Sequence, residues 1–142
     1  MPKSNFLSHS ILNLILRNQA EPTLWQPHTA GNLTTFYVAL HTSDPGPAAL
    51  QTANEVSYDT YARQPISRAT GAWALPATIA DLVSQIAFPV PGSGSGTATH
   101  ASIGTLESGG GEILYYGPLT PSIVIAPGVT PTIEDTSTIT EG

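Results

Sequence analysis

From residue 34 onward, apolar and polar positions alternate in short runs broken at close spacing by Gly, Pro, Ser and Asp. This is the texture of half-buried strands joined by tight turns. It predicts strands at 34–42, 58–67, 79–88, 97–106, 112–118 and 122–126, with a last one near 130–140, separated by SDPGP, the GAWALP region, PVPGSGSG, ESGGG and APG. Residues 4–18, SNFLSHSILNLILRN, follow another rule, because Leu7, Ile11, Leu14 and Ile15 fall at i, i+4, i+7 and i+8 and so form one helical stripe. Ser4 or Asn5 can cap that helix, Arg17 sits in its last turn and Pro22 blocks its continuation. Residues 19–33 hold two prolines, a glycine and few periodic positions, so they read as a connector in which Trp25 packs back on its own domain or anchors a neighbouring chain.

With no helical pattern between the strands, two antiparallel sheets are favoured over a parallel βαβ arrangement. The expected fold is therefore mainly β: an antiparallel β-sandwich, jelly-roll or Ig-like, with one N-terminal α-helix. The expected organisation is a helix and extended connector arm over 1–33 and a β-sandwich domain over 34–142. Thirteen glycines and thirteen prolines in 142 residues fit many tight turns, where Gly supplies positive φ and Pro presets the first turn position.

Composition narrows the partners. Four Lys and Arg residues against ten acids give a formal charge of −6, which argues against nucleic acid, whose phosphate backbone is bound by clustered basic side chains. Only 10% of residues are charged, against roughly 25% in an average soluble protein, so uncharged polar residues must cover much of the surface, as suits a subunit of an assembly. The absence of cysteine removes disulfides, thiolate zinc sites and cysteine nucleophiles. No run reaches the roughly 20 apolar residues of a spanning helix, so no membrane is expected, and the N-terminal segment lacks the layout of a signal peptide.

Candidate chemistry is sparse. His41 with Ser43 and Asp44 is the sharpest enzyme-like grouping, but a triad gathers its members from distant segments and needs an oxyanion hole. Ser-Asp-Pro-Gly is also a turn tetrapeptide, with Asp44 bonding the backbone and Pro45 and Gly46 setting the bend, and the turn is the better reading. PGSGSGT at 91–97 lacks the Lys-Ser/Thr ending of a phosphate loop and reads as a flexible hairpin loop. His9, His28, His41 and His100 show no metal-ligand spacing, and no cofactor is expected. In TYARQPIS the alternation puts Tyr61, Arg63 and Pro65 on one face, and an inward Arg63 would need a carboxylate from Asp44, Glu55 or Asp59.

In order along the chain stand an apolar helix, Tyr37-Val38-Ala39-Leu40-His41-Thr42 with Asp44-Pro45-Gly46, then Tyr61-Ala62-Arg63, Phe88-Pro89, Thr99-His100, Ile103-Gly104, Leu114-Tyr115-Tyr116-Gly117 and Leu119. This succession resembles a family of small virion proteins of tailed bacteriophages, often labelled tail fibre proteins, some of which are head decoration or cement proteins. The resemblance implies a β-sandwich without catalytic residues, with Tyr37, Leu40, His41, Asp44, Pro45, Gly46, Tyr61, Arg63, His100 and Gly104 as its structural signature. It sets up the expectation of a capsid decoration protein, a homotrimer on the outer surface of the capsid with the major capsid protein as partner. Leu7, Ile11, Leu14, Ile15 and Trp25 are then the candidate interface. The alternatives are a tail or tail-fibre component, with or without a host-surface binding loop such as 91–97, and, from another class, a small hydrolase using His41 or His100 with a nearby acid.

Overall fold

A computed structural model describes residues 4–19 and 33–140. It is mainly antiparallel β with sandwich-like sheets and, among the described residues, one helix, α1 (Asn5–Arg17). The strands are β1 (Thr35–His41), β2 (Gln64–Ser67), β3 (Trp73–Ala74), β4 (Ile79–Leu82), β5 (Ile86–Ala87), β6 (Gly96–Gly104), β7 (Ile113–Ile125), β8 (Thr132–Ile133) and β9 (Thr138–Thr140). The chain divides into two compact units, one of residues 1–34, 67–85 and 134–142 and the other of residues 35–66 and 86–133.

In the first unit, α1 starts where expected, with the Ser4 hydroxyl accepting from the Leu7 amide at 3.2 Å. It ends at Asn18, which adopts the left-handed conformation at φ 52°. The last carbonyls of a helix lack intrahelical donors, and here Arg68 supplies them, donating to Ile15 O at 2.6 Å and Leu14 O at 2.8 Å. Its positive charge also faces the negative end of the helix dipole. The fully buried row of α1 is Ser8, Leu12 and Leu16, together with Ser10, whereas Leu7, Ile11, Leu14 and Ile15 are half-buried. The sheet of this unit runs β3-β4-β9, and its core holds Leu12, Leu16, Trp73, Ala80 and Leu82. The Trp73 indole donates to Ser67 O at 3.1 Å, which allows a polar ring edge to be almost wholly buried.

The second unit is built on a sheet of order β2-β1-β6-β7, with β5 and β8 paired beside it. β1 is an inner strand with both edges paired, and its side chains are buried on both faces from Val38 to His41. It runs antiparallel to β6 in the register Tyr37 to Gly104, Ala39 to Ser102 and His41 to His100. The core comprises Phe36, Val38, Leu40, Val56, Ile66, Phe88, Ala98, Ile125 and Ile133.

Several expected boundaries move. The segments 112–118 and 122–126 are one strand, because β7 is an edge strand and can carry Pro118 and Pro121 without breaking the ladder. The extra residues bulge: between the pairs His100/Pro118 and Ala98/Ile123 the register shifts on β7. Conversely, 79–88 divides into β4 and β5, which pair with β9 and β8 respectively, so 130–140 divides as well. Only residues 64–67 of 58–67 form a strand, since the chain turns at 59–60, where the Tyr61 amide donates to Tyr58 O at 3.0 Å. The stretch 91–97 is not a hairpin loop, because it joins β5 to β6 across two sheets. Asp59 pins it, accepting from the Gly92 amide at 3.1 Å, and hydrogen bonds from the Ser93 backbone and its neighbours hold this carboxyl below its usual range. Trp25 and most of the connector lie outside the described residues.

Candidate functional site

The chemistry-bearing side chains of the second unit converge on the end of the sheet where β1, β6 and the loops 50–55 and 105–112 meet. Arg63 lies at the centre, 5% exposed. A buried guanidinium must be neutralised and its donors must be satisfied, and here every N–H finds an acceptor. Nε donates to Glu55 Oε1 at 2.7 Å and Nη2 to Glu55 Oε2 at 2.8 Å, a bidentate pair. Nη2 also reaches Gly109 O at 2.7 Å, and Nη1 reaches Leu106 O at 2.9 Å and Gln51 Oε1 at 3.3 Å. Glu55 is thus the carboxylate that an inward Arg63 requires.

Tyr61 closes the network against the strand. Its hydroxyl donates to Glu55 Oε1 at 2.9 Å and accepts from the Leu40 amide at 3.1 Å, while burial raises its pKa. Its ring stacks on Phe88 with centroids 6.3 Å apart and meets Tyr58 edge-on at 5.3 Å. Gln51, wholly buried, donates from its side chain to Tyr37 O at 2.9 Å and from its amide to Gly111 O at 2.8 Å. Its carboxamide occupies the space a side chain at Gly104 would take, and a Cβ there would also lie 2.5 Å from Glu112 O. Glycine at 104 is therefore required by close approach.

His41 ends β1 with no exposed surface. Its Nδ1 lies 2.7 Å from Ala53 O, which can only accept, so Nδ1 carries the proton and Nε2 accepts from the Ser102 hydroxyl at 2.7 Å. A serine hydroxyl on a histidine nitrogen has the form of a nucleophile and its base. Here the form is structural. Ser102 is 1% exposed, His41 is wholly buried, and the histidine is oriented by a carbonyl and not by a carboxylate. Burial holds the His41 pKa below its ordinary value, outweighing the hydrogen bond to Ala53 and the nearby Glu55.

The remaining sequence-derived positions distribute around this network. Asp44 and Gly46 form the turn that follows β1, with the Gly46 amide donating to Asp44 Oδ1 at 2.7 Å and Gly46 at φ 83°. Pro45 is buried in it, and the Asn54 side chain donates to Asp44 O at 3.0 Å. His100 is half-buried opposite His41, its Nδ1 3.0 Å from Thr99 Oγ1. Tyr37, Leu40, His41, Tyr61, Arg63 and Gly104 are thus brought together, while Leu7, Ile11, Leu14 and Ile15 lie on α1 in the first unit. Gln51, Ser102 and Gly111 were not marked by the sequence. Their partners are mostly backbone groups far along the chain, and no local pattern signals such pairing. Among the described residues no group of three or more His, Asp or Glu side chains is placed to hold a metal ion, and no helix is long and apolar enough to cross a membrane.

Two outcomes are expected. Glu55→Gln leaves the Arg63 charge buried without its counter-ion and destabilises the protein by about 3 kcal/mol or more, measured by chemical denaturation. For His41, the unfolded state takes up its proton near pH 6.5 and the folded state only at lower pH. Its contribution is therefore complete above that pH and is lost as pH falls through it, at up to about 1.4 kcal/mol per pH unit. Unfolding free energies measured from pH 7.5 to 5.5 should show this slope, and His41→Gln should remove that share of it.

Comparison with known proteins bears on the whole chain. No curated protein matches it. A family model described as podophage GP4 fiber I protein gp80 matches residues 2–140. Since that match spans nearly the full sequence, the chain belongs to the podophage GP4 fiber I protein gp80 family of phage structural virion proteins.

Proposed function

We propose that this protein is a structural subunit of the fibre apparatus of a podophage virion, acting through contact and not through catalysis. The observation that carries the reading is the family match over residues 2–140, whose description names a fibre. That wording favours the fibre over the capsid-decoration role suggested by the resemblance, for which no feature of the site speaks separately. The chemistry of the chain supports the same reading. Its sharpest catalytic-looking pair, His41 with Ser102, is enclosed, and its buried charges are spent on holding loops to a sheet. A sparsely charged surface of Ser, Thr, Gly and Pro suits a subunit that works by burying area against neighbours.

Immunogold labelling of intact virions, read by electron microscopy, tests this. Gold restricted to the fibres at the tail is the expected result. Gold spread evenly over the head would overturn the fibre assignment in favour of capsid decoration, and particles without gold would overturn a virion role altogether.

A further inference from the structure

We propose that the tip of the second unit, formed by Leu50, Leu106, Glu107 and Glu112, docks onto another virion protein that presents an apolar pocket rimmed by lysine or arginine. The proposal rests on the virion reading above and deepens it by naming the chemistry of a partner.

Leu50 and Leu106 are 42% and 47% exposed, and both rest on the same stretch of glycine backbone. A Cβ at Gly110 would meet Leu50 Cδ1 at 3.0 Å, and one at Gly111 would meet the Leu106 amide nitrogen at 2.9 Å. Gly110 and Gly111 are thus a floor on which the two leucines sit, and a side chain at either would press against one of them. Leu50 bridges Glu112 on one side, and Thr105, next to Leu106, donates its amide to Glu112 O at 3.1 Å on the other.

These leucines are held where they are. The Leu106 amide donates to Gln51 Oε1 at 3.3 Å and its carbonyl accepts from Arg63 at 2.9 Å. Gln51, the residue after Leu50, is fixed to Gly111 O at 2.8 Å. The buried network therefore fixes the backbone that presents two partly exposed apolar side chains, and a partner that covered them would incur little backbone ordering cost.

Charge decides which partner fits. The second unit contains one cationic side chain, Arg63, which is buried and fully engaged, whereas Asp44, Asp59, Glu107 and Glu112 are exposed. Two copies meeting tip to tip across a two-fold axis would set acid against acid, with no exposed cation of this unit to relieve it. A different protein with basic residues around an apolar recess complements both features.

The chain has no cysteine, so Ser108→Cys places a single thiol on the exposed loop beside the tip without removing any residue of the patch. Phage carrying this variant would be labelled with a maleimide-benzophenone, illuminated as whole particles and analysed by mass spectrometry. The expected product joins residue 108 to a peptide of a different virion protein containing Lys or Arg beside apolar residues. The paired substitution Glu107→Lys and Glu112→Lys, which leaves the buried network intact, should then cut the copies per particle about tenfold. A cross-link to another copy of this chain, a partner peptide without basic residues, or no cross-link in particles that contain the protein would overturn the tip proposal and leave the virion reading standing. Particles that lack the protein would overturn both.

Discussion

The second unit depends on one buried cation. Arg63 carries a charge that the interior cannot leave unpaired, and all its donors must find acceptors in a place water does not reach. Glu55 supplies the counter-charge, while the loop carbonyls of Leu106 and Gly109 and the side chain of Gln51 supply the rest. A buried ion pair of this kind is not in itself strong evidence of stability, because desolvation offsets much of its attraction. What it provides here is position. Two loops that leave the sheet in different places are tied to one side chain, and the Gly104 and Gly111 backbones leave room for the carboxamide that joins them.

This arrangement was partly legible in the sequence. The alternation of β1 and the turn chemistry of Asp44, Pro45 and Gly46 are local properties, and local patterns report them. The need of Arg63 for an acid could be inferred, with Glu55 standing beside Asp44 and Asp59 as a possible partner. Gln51 could not be found in this way, because it bonds to backbone groups of Tyr37, Leu106 and Gly111 that only the folded chain brings near it. The continuity of β7 was hidden for a related reason. Pro118 and Pro121 read as breaks unless the strand is known to lie at an edge, and edge position is set by the whole sheet. On α1 the stripe of long aliphatic residues pointed to one face, yet Ser8 shares the deepest row with Leu12 and Leu16. Burial on a short helix follows what packs against it, and small side chains permit the closest approach.

The His41 and Ser102 pair illustrates how function has to be read from access as well as from distance. The two side chains are at catalytic separation, but their surroundings saturate the imidazole and exclude any reactant. The same enclosed network that disarms this pair holds Leu50 and Leu106 outward. In a family of phage structural proteins, an interior whose polar groups fix a surface is consistent with the proposed role by contact.

If Arg63 organises the unit, the loops around it are as firmly fixed as the strands they leave. Native-state hydrogen exchange of the Gln51 and Leu106 amides, followed by NMR, tests it most directly. The expected exchange is as slow as that of the Leu40 amide in β1, through unfolding of the whole unit, although Leu106 lies in an exposed loop. Exchange at rates typical of a free surface loop would contradict it.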